Sequence, residues 1–400
     1  MTNINPRRNP YKIGQPIDEP DNFFGRDDLF PFIEDSLRNG TKFLLLHGQR
    51  RIGKSSLLKQ LAHRVSRQEF FFVFFDLQGY NNTPPLNEIL YKLAEAIREA
   101  IAEYLGLDSD IITLPKNEEL RKNQDIFDSF LSQVFQKLGD KNLVLLLDEF
   151  DVVHSNSDVL NQGSFFRYLQ SLLRQSTRLF IIPVVGRCKD DFQNLSQLFN
   201  SPPYQEIGLL NDLSAERLIT RPAQGMLEYE EDAIQAILKL SARHPYFTQA
   251  ICFYLFEQAK MNDDWTVTCS DVQGIVNRTI ESVRGGLAWF WDGLSISEQV
   301  VFSSVAEAQE IAIKQNQSFP ESPLELLRKD GVVPTELLTQ SVKQLTKKGY
   351  LDDTERRVKV ELVRRWLVQC HPLKQEIFKL EEIEIEEIIN ISSRETELYR

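Results

Sequence analysis

The chain has 400 residues, 42% of them hydrophobic, and a formal net charge of −12. A chain of this length can bury two or three separate hydrophobic cores, so we expect a multidomain protein. Its negative charge opposes general adhesion to nucleic acid or to an anionic membrane. The four cysteines form no CxxC pair and the five histidines lack metal-ligand spacing, which argues against a structural zinc site.

The apolar runs in the sequence are short. None approaches the roughly 18 residues that a membrane span requires, and the N-terminal segment lacks the apolar centre of a signal peptide. We therefore expect a cytoplasmic protein with no membrane partner. Residues 1–21 are rich in proline and polar residues, which predicts an extended arm.

Short apolar runs then alternate with helical patterns. This alternation predicts a parallel sheet covered by helices on both faces. The long connection between the second and third runs contains two helical patterns, at residues 86–104 and 118–138. The predicted strands are residues 43–47, 70–76, 143–148, 179–185 and, more weakly, 205–209.

Residues 48–55, Gly-Gln-Arg-Arg-Ile-Gly-Lys-Ser, fit the phosphate-binding loop pattern GxxxxGK[ST] between a predicted strand and a predicted helix. Glycines let backbone N–H groups turn toward phosphate, and the following helix directs the positive end of its dipole at the same anion. We expect Lys54 to bridge the β- and γ-phosphates of a bound nucleotide and Ser55 to bind Mg2+. A glycine-rich turn with an exposed lysine is the simpler alternative. The predicted nucleotide-binding residues of the loop are Gly48, Gln49, Arg50, Arg51, Ile52, Gly53, Lys54, Ser55 and Ser56.

Asp148 and Glu149 follow directly on an apolar run. Charge at the end of a buried strand is costly unless a cation or ligand meets it there. We expect Asp148 to serve the magnesium site and Glu149 to polarise the attacking water in hydrolysis. The alternative is an acidic pair that caps a loop.

Helical periodicity dominates residues 214–259 and predicts a helical lid without strands. Three further helices are predicted at residues 294–308, 323–327 and 334–348. Two short strands at residues 350–352 and 358–363 would complete a winged-helix domain. The tail from residue 373 is predicted to be helical and acidic.

These patterns together predict an α/β fold of the P-loop NTPase class with an additional strand and a catalytic glutamate. A helical lid and a winged-helix domain would follow the parallel sheet. The predicted divisions are an arm at 1–21, the ATPase core at 22–212, the lid at 213–284, the winged helix at 285–370 and the acidic tail at 371–400.

Over residues 9–367 the sequence resembles the AAA+ ATPases and the STAND ATPases, a regulatory class that includes the NACHT and NB-ARC groups. The resemblance rests on the two motifs above and on several shorter ones. These are Asn-Pro-Tyr at 9–11, Phe-Gly-Arg-Asp-Asp at 24–28, Asp-Glu-Phe-Asp at 148–151, Val-Gly-Arg at 185–187 and Ala-Arg-His-Pro-Tyr at 242–246.

The resemblance implies additional nucleotide contacts. Phe24, Gly25 and Arg26 match the segment that lies over the adenine, although an ordinary surface turn is the alternative. Arg187 matches the catalytic sensor of the γ-phosphate, with an ion-paired surface arginine as its alternative. His244 and Pro245 match the lid motif that closes on the base or ribose, and Pro245 would equally suit a helix start.

The sequence also departs from the family pattern. Ala242 and Arg243 stand where a Gly-Gly or Gly-Arg pair is common. Arg221 could serve a neighbouring subunit as an arginine finger, but a cation at a helix end is the simpler interpretation.

The resemblance implies a slow, Mg2+-dependent ATPase whose ADP and ATP states control conformation and self-association, in bacterial signalling or defence. Its trigger ligand or partner is unknown. A second hypothesis is a DNA-binding AAA+ ATPase similar to origin-recognition initiators, because eight basic residues and four acidic residues lie between 343 and 365. A third is a nucleotide-binding scaffold without useful turnover.

Overall fold

The computed structural model describes residues 8–80, 85–108, 111–150, 159–186 and 202–382. The chain forms two compact units. One unit is Gln15–Gly208. The other combines the chain before Gln15 with the chain from Leu209 onward.

The first unit is built on a five-stranded sheet in which every neighbouring pair is parallel. Its strands are Leu45–His47 (β1), Phe70–Asp76 (β2), Asn142–Asp148 (β3), Leu179–Val185 (β4) and Tyr204–Glu206 (β5). The order is β2-β3-β4-β1-β5, so β4 lies between β1 and β3, in the position expected for the additional strand. The predicted α/β fold with a parallel sheet is confirmed.

The sheet is buried on both faces because helices cover it, as the apolar sequences of β3 and β4 require. The predicted helix over residues 118–138 is divided in two, because Asn123 adopts an extended conformation between its parts. The helices of this unit are Leu29–Arg38, Lys54–Arg64, Leu86–Leu105, Asn117–Lys122, Asp125–Leu138 and Val159–Gln175, with 3-10 turns at Pro20–Asn22 and Gln78–Tyr80.

The second unit is mainly helical, and residues 373–382 of the tail are helical as predicted. It also contains Glu228–Tyr229 (β6) and Thr266–Val267 (β7), which pair in parallel. The expectation that strands stop after residue 214 is therefore wrong, because strands this short show no alternation to detect. The helices are Asp212–Thr220, Glu231–Ser241, Pro245–Asn262, Cys269–Gly274, Val276–Ser282, Arg284–Leu287, Ile296–Gln315, Glu325–Lys329, Glu336–Lys347 and Glu361–Cys370, with a 3-10 turn at Ala288–Phe290.

The predicted two-stranded wing is reduced to one antiparallel bridge between Leu351 and Val358. The prediction of a strand over residues 358–363 is wrong, because Glu361–Cys370 is a helix. That helix buries Leu362, Val363, Trp366 and Leu367, which share one helical face. The alternating pattern covers only six residues, which is too few to distinguish the two-residue period of a strand from the 3.6-residue period of a helix. The winged-helix assignment and the five-part domain division remain predictions.

The described part of the N-terminal arm, from residue 8 onward, is packed rather than free. Tyr11 is only 2% exposed, its hydroxyl donates to the carbonyl of Ile219, and it lies 2.8 Å from the Tyr229 hydroxyl. Because an extended segment has no periodicity, its burial could not be detected from sequence. Among the described helices, none has the length and apolar character that a membrane crossing needs.

The backbone conformation at Ala242 has a cost in stability. Helix Glu231–Ser241 ends at Ala242, and both Ala242 and Arg243 have left-handed backbones, with φ of 48° and 64°. A Cβ atom disfavours this conformation, whereas glycine adopts it freely. We expect Ala242→Gly to raise the free energy of unfolding by about 1 kcal/mol in urea titrations.

Ala236→Gly provides the matched control, because the same substitution falls inside the same helix. It should lower the free energy of unfolding by about 1 kcal/mol. A loss of stability in Ala242→Gly would contradict the strain that we assign to this helix end.

Candidate active site

The loop between β1 and helix Lys54–Arg64 needs both of its glycines. A Cβ on buried Gly48 would lie 2.6 Å from the carbonyl oxygen of Ile207, which is too close for any side chain. Gly53 has a φ of 100° and forms the N-cap of the helix. The backbone therefore follows a path that only glycine permits at these two positions.

The start of helix Lys54–Arg64 suits an anion. Its N-cap is Gly53, which has no side chain with which to cap the first N–H groups of the helix. Lys54 is only 5% exposed, and its ammonium donates to the carbonyl of Gln49 at 3.1 Å. A buried ammonium beside a helix N-terminus fits the phosphates of ATP or ADP.

Asp148, at the end of β3, meets Ser55 of the loop. The Asp148 carboxylate is only 3% exposed, accepts the Glu149 N–H at 3.0 Å and lies close enough to the Ser55 side chain to be stabilised by it. Burial raises the pKa of Asp148, while the interactions with Ser55, the Glu149 N–H and Lys54 oppose the rise. One hydroxyl and one carboxylate together provide the hard oxygen ligands that Mg2+ prefers, so the residues fit that ion.

Glu149 lies beside Asp148 at the edge of the sheet from which the phosphate loop also leaves. Its φ of 50° is rare for a residue with a side chain, and the following residue, Phe150, is fully buried. A non-glycine residue in this conformation stores strain of about 1–2 kcal/mol, which the surrounding packing must hold. Such strain is common at functional positions.

Asp76 is an acid at this edge that the sequence analysis did not single out. It ends β2 and is the register partner of Asp148, whose pKa its charge helps to raise. Its carboxylate also accepts the N–H of Gln78 at 2.8 Å, an ordinary turn contact. A carboxylate at the carboxyl end of a predicted parallel strand was the signal that could have revealed it.

Arg26 reaches the phosphate loop. Its guanidinium donates to the carbonyl of Ile52 at 3.3 Å, and its backbone follows Gly25 in a left-handed turn, with φ of 79° and 67°. Burial lowers the pKa of Arg26 to about 10, partly offset by Asp28. The structure thus brings Arg26 to the loop, while a contact of Phe24 or Gly25 with adenine stays a prediction.

Other loop residues have separate environments. Arg51 is exposed with a φ of 60°, and the Ser56 hydroxyl accepts the N–H of Ile17 at 3.0 Å. Nucleotide contacts of Gln49, Arg50, Arg51, Ile52 and Ser56 stay predictions.

The remaining predicted site residues lie elsewhere. His244 and Pro245 belong to the second compact unit, where buried His244 is the N-cap of helix Pro245–Asn262 and packs on Phe247. Their nucleotide contacts stay predictions. Arg221 is the C-cap of helix Asp212–Thr220, as the simpler interpretation expected. Arg187 lies outside the described residues.

Comparison with known proteins agrees with this geometry. The family profile described as the AAA ATPase domain matches residues 22–182. None of the curated proteins matches the chain.

Several solved structures are similar to the chain. The Walker-type ATPase of Pyrococcus abyssi superimposes with a TM-score of 0.61 at 16% identity, covering 88% of this chain and 98% of that one. The Orc1 protein of Aeropyrum pernix, solved in complex with DNA, gives 0.45 at 14% identity, covering 89% and 95%. RuvB of Thermotoga maritima, a Holliday junction branch migration motor, gives 0.43 at 15% identity, covering 86% and 94%. Residues 22–182 thus match the AAA ATPase domain in sequence, and the chain shares its fold with the Walker-type ATPase of Pyrococcus abyssi.

Proposed function

We propose that the chain is a Mg2+-dependent ATPase of the STAND type, with slow turnover, whose ADP and ATP states control its conformation and self-association. The observation that carries this proposal is the meeting of Ser55 and Asp148 beside a loop that holds a buried Lys54. A buried cation, a helix N-terminus with a glycine N-cap and two hard oxygen ligands together suit a metal-bound triphosphate.

The residues have separate roles in hydrolysis. Lys54 and the backbone of the loop hold the phosphates, and Arg26 brings a second cation to the loop. Ser55 and Asp148 would hold Mg2+, which would supply positive charge to neutralise the phosphate oxygens. Glu149 orients the attacking water and accepts its proton. Arg187 would read the γ-phosphate, as the sequence resemblance implies.

Control of conformation needs an energetic difference between the nucleotides. ATP and ADP must bind the two arrangements of the chain with different free energies, since a ligand with equal affinity for both shifts nothing. As the sequence resemblance implies, such a switch would act in bacterial signalling or defence in response to a trigger ligand or partner.

The basic residues of the C-terminal region give little support to the alternative of DNA binding. Lys348 pairs with Glu298 at 2.6 Å, and buried Arg364 pairs with Glu310 and Glu361. Arg365 pairs with Glu361 at 3.0 Å. Because acids of the same unit already neutralise these three cations, the predicted phosphate-contacting surface is smaller than the sequence indicated.

The test of the switch is the solution mass of Glu149→Gln protein, measured by light scattering with Mg2+-ATP and with ADP. We expect a larger particle with ATP alone, because the variant retains ATP. Lys54→Ala, which should bind nucleotide far more weakly, is the matched control and should keep the smaller mass at an ATP concentration that just saturates Glu149→Gln. The same mass for Glu149→Gln with both nucleotides would contradict nucleotide-driven self-association.

A further inference from the structure

The first part of the N-terminal arm is fastened to helices of the second unit. The side-chain amide of Asn9 donates to the Phe253 carbonyl at 3.0 Å and to the Glu257 carboxylate at 2.9 Å. The N–H of Lys12 donates to the Gln249 side chain at 2.9 Å. These contacts and the burial of Tyr11 attach residues 9–12 to helix Pro245–Asn262 and to its neighbours.

The second part of the arm is fastened to the phosphate-binding helix, Lys54–Arg64. The N–H of Ile17 donates to the Ser56 hydroxyl, and the fully buried side chain of Gln60 donates to the carbonyls of Ile17 and Asp18 at 3.2 and 2.7 Å. Lys59 adds an ion pair with Asp18 at 2.7 Å. Ser56, Lys59 and Gln60 all follow within two turns of the predicted magnesium ligand Ser55.

Only residues 13–16 separate the two attachments. Five peptide units from Lys12 to Ile17 span at most roughly 18 Å when fully extended. Pro16 restricts the backbone further, whereas Gly14 has a φ of 76° that suits glycine. A link this short cannot absorb a large displacement of either attachment.

The chain's second passage between the units also begins at the phosphate loop. Ile207 donates its N–H to the His47 carbonyl at 2.7 Å, and its own carbonyl closely approaches Gly48. The chain then enters the second unit, where the Leu210 N–H donates to the Arg243 carbonyl. The two covalent connections between the units therefore leave from helix Lys54–Arg64 and from the phosphate loop, and both of these elements would contact the phosphates.

We propose that residues 9–18 form a strap that transmits the nucleotide state of helix Lys54–Arg64 to helix Pro245–Asn262. Loss of the γ-phosphate changes the contacts made by Lys54 and Ser55, and the helix that carries them also carries the attachment to Ile17 and Asp18. The strap rests on the proposed nucleotide switch and names the segment through which the switch acts.

The test lengthens the strap without altering either attachment. An insert of about six Gly and Ser residues between Gly14 and Gln15 adds roughly 13 Å of flexible reach. Hydrogen exchange of helix Pro245–Asn262 is compared in the presence of ADP and of a non-hydrolysable ATP analogue, each with Mg2+. We expect a difference in protection in the wild type and its loss in the insertion variant, with unchanged affinity for both nucleotides.

The same insert between Leu107 and Asp108, two exposed residues of the first unit, is the matched control and should retain the difference. A full difference in the strap variant would overturn the strap and leave the switch standing. A wild type without any difference would contradict the switch and the strap together. If the strap variant lost nucleotide binding while the control variant kept it, the arm would be needed for nucleotide binding itself. That result would overturn the proposal that the arm transmits the nucleotide state.

Discussion

Replacement of Glu149 by glutamine is expected to slow ATP hydrolysis by about 10²- to 10⁴-fold. Glutamine keeps the size of the side chain and tolerates the same left-handed backbone, but its amide cannot accept the proton of the attacking water. ATP should remain bound, because Lys54 and the loop backbone are unchanged. Release of phosphate from prebound ATP in a single turnover measures the chemical step directly.

Glu118→Gln is the matched control, because Glu118 is an exposed acid of the same unit, on helix Asn117–Lys122. Its rate should equal that of the wild type. A Glu149→Gln protein with an unchanged rate would reduce Glu149 to a residue that caps a loop. It would then favour the interpretation of the chain as a nucleotide-binding scaffold.

Lys54→Ala should weaken ATP binding by about 100-fold, which corresponds to about 3 kcal/mol. The ammonium of Lys54 is almost fully buried, so its charge-assisted hydrogen bonds to phosphate would form away from bulk water. Calorimetric titration with ATP gives the affinity and needs no turnover.

The control for this substitution is Lys137→Ala, an exposed lysine at the end of helix Asp125–Leu138. Its affinity for ATP should not change. Equal affinities for Lys54→Ala and the wild type would show that the lysine does not contact the nucleotide, and the phosphate site would have to be sought elsewhere.

The sheet of the first unit could be predicted because each strand is recognisable from its own short stretch of sequence. The apolar runs at 70–76 and 179–185 coincide with β2 and β4, since strands buried on both faces must be continuously apolar. The meeting of Ser55 and Asp148 followed from a topological rule, because parallel strands present their carboxyl ends at one edge.

Long-range contacts could not be predicted from the same patterns. Ile17 and Gln60 lie 43 residues apart, and an extended segment carries no periodicity to reveal its partner. The helix at Glu361–Cys370 was missed for a different reason. Val358, Val360 and Leu362 alternate like a strand, yet Val363, Trp366 and Leu367 complete a helical face that only tertiary packing selects.

The most direct test of the account is phosphate release from ATP by the wild-type protein with Mg2+ in excess and then with EDTA. We predict slow, continuous release that requires Mg2+ and ceases when EDTA removes it, because Ser55 and Asp148 would lose the ion that neutralises the phosphate oxygens. Release that continues unchanged in EDTA would contradict the magnesium site. ATP that binds with Mg2+ but is never hydrolysed would contradict the assignment of the chain as an ATPase.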